Sequence, residues 1–132
     1  MNPILKEIKN SFDYLDYKDN WDEEGAKPVN EKCFVEAINF LLYFINHNIN
    51  IVTPHISPLN DGTIDIHFVV GEQKDINSTH LLINFNENYF TYYGEVGENK
   101  HVINESTENA YGHGYARVQT ILNNWVLTHL TI

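Results

Sequence analysis

A chain of 132 residues with 18 acidic and 8 basic side chains carries a formal charge of -10, which repels phosphate backbones and anionic lipid and argues against direct nucleic-acid or membrane-surface binding. That length fits a single domain, residues 1–132, which buries about two thirds of its unfolded surface without a covalent staple. The single cysteine, Cys33, excludes an internal disulfide framework; with no charged leader before an apolar run and no span-length apolar stretch, the expected compartment is a reducing cytoplasm.

Asn2-Pro3 offers a cap followed by proline at the first helical position, and Ile4, Leu5, Ile8, Phe12 and Leu15 recur at helical spacing. This predicts an amphipathic helix ending near Asp16. Residues 17–29 (YKDNWDEEGAKPV) are too rich in Asp, Gly and Pro to stay helical. Val29 and Phe34 flank Asn30 as a hydrophobic staple around an Asn cap, and a second helix then runs to about His47, with Phe34, Ala37, Ile38, Leu41, Leu42 and Ile45 as its core stripe. It is nearly apolar all round at FLLYFI, so it should be the most buried helix.

Period-two alternation follows. A short strand at 54–59 pairs through the Asn60-Asp61-Gly62 turn with Ile64 to Val70, where Ile64, Ile66, Phe68 and Val70 oppose Asp65, His67 and Val69. Pro54 and Pro58 cannot donate to a ladder, so the first strand belongs at the sheet edge. Leu81, Ile83 and Phe85 then oppose His80, Leu82 and Asn84, and Asn86-Glu87-Asn88 turns the chain into Tyr89 to Val96. Residues 97–114 are polar, lack a clear period and read as a long loop. A last helix from about Tyr115 places Val118, Ile121, Leu122, Trp125 and Val126 on one side, and Thr131 and Ile132 are expected to fray. The fold class is α+β: a four-stranded antiparallel meander with two N-terminal helices and one C-terminal helix on one face.

Few motifs carry chemistry. His67 and His80, on consecutive strands with Asp65 nearby, form the best metal candidate, although a recognised ligand spacing is absent. Cys33 falls in the first turn of a helix but near its apolar stripe, which favours a buried core residue over a nucleophile. There is no GxSxG, P-loop or EF-type loop, and no cofactor is implied. Asp13, Asp16, Asp19 and Asp22, followed by Glu23 and Glu24, would form an acidic stripe on a helix, either a solvated face or a surface that meets a basic groove. Tyr89, Phe90, Tyr92 and Tyr93 crowd the outer hairpin. Whichever parity faces away from the helices exposes tyrosine with Asp65, His67 and Glu95, as a partner surface or as ordinary cross-strand pairing.

The block Asn20-Trp21-Asp22-Glu23-Glu24-Gly25-Ala26-Lys27-Pro28, followed by a helix and then Pro54-His55-Ile56-Ser57-Pro58 and Asp61-Gly62, resembles a group of small bacterial proteins. Their pattern is a WDG-type loop with GA and P, a helix, and a P-x-[IV]-x-P-x-x-DG hairpin ending in tryptophan. Glu23 stands where that pattern often has glycine, and Phe68 where it has tryptophan. The resemblance covers roughly the first half of the chain, implies kinship of fold and carries over no catalytic residue. In this loop Asp22 is expected to cap backbone amides. Trp21 either plugs the gap between the first helices and the sheet or stands exposed as an anchor among carboxylates.

By elimination and charge, the expected function is a small acidic protein-binding module that engages and neutralises or regulates a protein with a basic surface, as antitoxins, immunity proteins and phage-type inhibitors do. Its candidate contact residues are Asp16, Asp19, Trp21, Asp22, Glu23, Glu24 and Tyr93. The alternatives are a metal-dependent enzyme or small-molecule binder on the His67, His80 and Asp65 face, and a subunit that assembles with others or as a homodimer.

Overall fold

The computed structural model describes residues 2–71, 78–97, 100–110 and 115–132, of which 100–110 and 115–119 are described as backbone only. Helix α1, Pro3–Ser11, begins where the Asn2 side chain accepts a hydrogen bond from the Ile4 N–H at 2.8 Å. The chain then tightens into a 3-10 turn, Phe12–Asp16. A three-residue period turns side chains differently from an α-helix. Phe12 and Leu15 are therefore exposed and Tyr14 packs against the core instead, while within α1 Ile4 and Ile8 are buried and Leu5 is exposed.

Helix α2, Glu31–Asn46, starts at Asn30, whose side-chain oxygen accepts from the Lys32 and Cys33 N–H groups. That cap contributes about 1 kcal/mol. The buried residues are Cys33, Phe34, Ala37, Ile38, Phe40, Leu41 and Phe44. The stripe is centred on Phe40 and Phe44, and the expected Leu42 and Ile45 lie at its margin. Helix α3, Tyr115–His129, buries Leu122, Trp125 and Val126 but leaves Ile121 exposed. The C-terminus does not fray. Ile51 and Thr131 form an antiparallel bridge, and the Ile132 N–H donates to the Asn50 carbonyl.

The four expected strands are present: β1, His55–Pro58; β2, Ile64–Val70; β3, Thr79–Phe85; and β4, Tyr89–Val96. A fifth, β5, Lys100–Ala110, extends the antiparallel meander in the order β1-β2-β3-β4-β5. It lies within the stretch expected to be a loop. Its ladder with β4 has register shifts between Phe90 and Tyr92 and between Gly94 and Val96, and such irregularities break the period of two by which a strand is read from sequence.

Register separates the two faces. Ile56, Ile66, Ile83 and Tyr92 share one row on the helix-covered side, flanked by Ile64, Phe68, Leu81, Phe85 and Phe90, all buried. Helix α1 packs at β1, α2 over β2 and β3, and α3 at β5.

The β1 edge is closed by side chains. The Glu7 carboxylate accepts from the Ile56 N–H at 3.1 Å, the Tyr14 hydroxyl donates to the Ile56 carbonyl at 3.0 Å, and Pro58 has no N–H to offer. Such capping withholds the edge from other strands. The β1–β2 turn also clamps the loop before α2: Lys27 N–H donates to the Asn60 carbonyl and Asn30 N–H to the Gly62 carbonyl, both at 2.8 Å. Gly62 has φ +88°, and a Cβ there would lie 2.9 Å from the Pro28 carbonyl oxygen. Gly62→Ala is therefore expected to cost about 2–3 kcal/mol from left-handed strain and backbone clash. Chemical denaturation should show a lower midpoint at unchanged slope, and an unchanged midpoint would contradict the clamp.

Candidate functional site

Two surfaces hold the candidate residues. The first is the loop between α1 and α2, which is internally braced. Asp22 Oδ1 accepts from the Glu24 and Ala26 N–H groups at 2.8 and 2.9 Å, Asn20 Oδ1 accepts from the Gly25 N–H at 2.6 Å, and the Asn20 N–H donates to the Ala26 carbonyl at 2.7 Å. Asp22 thus caps amides as expected. Trp21 is neither plug nor free anchor: half-buried and outside the core, it donates Nε1–H to the Lys27 carbonyl at 2.8 Å. Its ring meets Tyr17 at 5.0 Å, and Tyr17 meets Tyr14 at 5.5 Å, so an aromatic row ties the loop back to the core.

The acidic residues do not form one helical stripe. Asp13 and Asp16 sit on or beside the 3-10 turn, whereas Asp19, Asp22, Glu23 and Glu24 follow the loop. Asp16, Asp19, Glu23 and Glu24 are exposed. Ion pairs join His55 with Glu7 and His80 with Glu95, and no loop carboxylate is paired with a described lysine or arginine. Glu23 adopts φ +63°. A non-glycine residue there costs roughly 1 kcal/mol.

The second surface is the open face of the sheet, where Tyr93 lies, two strands from β2 and its clamped turn. Pairing aligns His55, His67, Leu82 and Tyr93 in one row across β1 to β4, and sets Asn104 of β5 opposite Tyr93. On one side of that row, the Tyr93 hydroxyl donates to Glu95 Oε2 at 2.7 Å, and His80 Nε2 lies 3.3 Å from Glu95 Oε1. On the other, Asn84 donates to Asp65 at 2.7 Å and to Thr63 Oγ1 at 3.1 Å. The His67 and His80 rings meet edge to face at 6.1 Å, and His80 meets Tyr93 at 5.9 Å.

Local electrostatics follow from these contacts. The Tyr93 hydroxyl, then His80, holds the Glu95 carboxyl below its usual range, and the same bond to Glu95 raises the Tyr93 phenol. Burial pushes the Asp65 carboxyl up, offset in part by Asn84. Burial also pushes His67 down; His80 and His55 add to this and Asp65 opposes it.

The pairing joins His67 to His80 diagonally, but Asp65 is engaged by Asn84. Among the described residues no three His, Cys, Asp or Glu side chains converge as a metal set. Cys33 is buried, and burial, with the charges of Glu87 and Asp61, pushes its thiol up to about 11, the opposite of an activated nucleophile. A cleft of about 60 Å³ between Asn2, Asn50 and Ile132 is too small for a drug-sized ligand. No helix among the described residues is long and apolar enough to cross a membrane.

Leu82 was not foreseen as a site feature, nor was the bond between Tyr93 and Glu95, which were expected on one face. Both were accessible in principle: Leu82 has the parity of His80 and Asn84, and residues two apart on a strand share a face. Against known proteins, the chain matches no protein-family model, no curated protein and no solved structure. Its functional reading rests on its own chemistry.

His67 gives a pH prediction. Its folded pKa lies below the unfolded value of 6.5, so below that pH the unfolded chain binds the extra proton and stability falls as pH drops through about 6.5. His67→Gln should therefore show a shallower loss of stability between pH 7 and 5 in urea titrations. An unchanged slope would contradict the burial of the imidazole.

Proposed function

We propose that this chain is a small acidic protein-binding module that engages a basic protein and neutralises or regulates it, in the manner of an antitoxin, immunity protein or inhibitor acting in the cytoplasm. The observation that carries this reading is Glu23, an exposed carboxylate without a basic partner among the described residues, held at φ +63° by a loop braced through Trp21, Asp22 and Asn20. Glycine would be unstrained at that backbone. A charged side chain there lowers stability and adds to a field that steers a cationic partner, and the braced loop fixes where that charge sits. Kinship with the WDG-loop proteins is proposed on the same footing, since the left-handed position coincides with their glycine.

The test uses the exposed residues and spares Asp22, whose carboxylate holds the loop. Asp19→Lys with Glu24→Lys should leave the fold intact, reduce the association rate with the cognate basic partner more than tenfold at low salt, and flatten its salt dependence. Glu23→Gly should raise stability by about 0.5–1 kcal/mol while slowing association. Unchanged rates in both variants would refute the proposal.

A further inference from the structure

Taking the binding reading as its premise, we infer that the open sheet face is the surface on which the basic protein docks, and that His55, His67 and His80 make the contact acid-labile. Leu82 and Tyr93 are register partners at its centre, with relative exposures of 38% and 36%. Together they offer an apolar and aromatic contact of the kind that anchors interfaces. Around them, among the described side chains, the fixed charges are Asp65 of β2 and Glu95 of β4, with no lysine or arginine on this face. That pattern complements a cationic surface.

The titratable neighbours come from every described element bordering the row. His55 of β1 lies 3.6 Å from Glu7 of α1, His67 lies beside Asp65 on β2, His80 of β3 bonds Glu95, and Tyr93 bonds the same carboxylate. Asp61, in the β1–β2 turn, accepts from Thr63 at the end of the face. With the histidines neutral, the described side chains on and bordering the face include four carboxylates, Glu7, Asp61, Asp65 and Glu95. Each proton taken up by an imidazole cancels one of those charges and weakens the attraction of a cationic partner.

Nuclear magnetic resonance titration of the full chain with an octa-arginine peptide in low salt, at pH 7.2 and pH 5.2, tests this. The largest amide shifts at pH 7.2 should fall on His67, Leu82 and Tyr93, and affinity should drop at least fivefold at pH 5.2. Glu95→Gln should weaken binding at pH 7.2 severalfold, and the combined His55→Gln, His67→Gln, His80→Gln variant should flatten the ratio between the two pH values. Shifts confined to Asp19–Glu24 would overturn the docking surface while leaving the acidic module standing, whereas no shifts anywhere would overturn both. Sheet-face shifts with equal affinity at the two pH values would overturn the acid response.

Discussion

The seating of α2 on one face of the sheet is the contact on which the rest depends. Phe40 meets Phe44 at 5.4 Å and Phe85 at 6.0 Å; Phe85 stacks on Phe90, and Phe90 on Tyr92, so an aromatic chain runs from the helix through β3 into β4. Each such ring contributes roughly 1.5–3 kcal/mol on burial. Because strand side chains alternate, this seating also determines the other face: once Ile66, Ile83 and Tyr92 point to the helix, the neighbouring row of His67, Leu82 and Tyr93 must point away.

The same packing explains why the N-terminal loop is where it is. The Asn30 cap that starts α2 also donates its N–H to Gly62, so the helix start, the acidic loop and the β1–β2 turn are one mechanical unit. Strain at Glu23 is tolerated because surrounding hydrogen bonds determine the loop. That bracing also fixes where the loop's charges sit. No converging metal ligands occur among the described residues, and the thiol of Cys33 is kept protonated by burial.

Much of this was legible in the residues. The Asn2-Pro3 and Asn30 caps, the Asp61-Gly62 turn and the edge placement of β1 follow from local chemistry that tertiary packing did not override. Three features did not. The 3-10 turn at Phe12–Asp16 broke a helical stripe that periodicity alone continued, and β5 lacked the alternation that marks a half-buried strand. The C-terminal residues pair with Asn50–Val52, a contact between distant segments that no local pattern announces. At the candidate site, the parity of Asp65, His67 and Tyr93 was readable, but which parity lay open depended on where the helices settled.

On the proposed function, the chain works by holding a basic protein. The most direct test is the mass of the species recovered when the protein is purified at native level from its own host in low salt, by size exclusion followed by native mass spectrometry. The expected species is a stoichiometric complex with a protein of high isoelectric point, which dissociates as salt is raised. A species that elutes alone at low salt, or a complex indifferent to salt, would contradict that function.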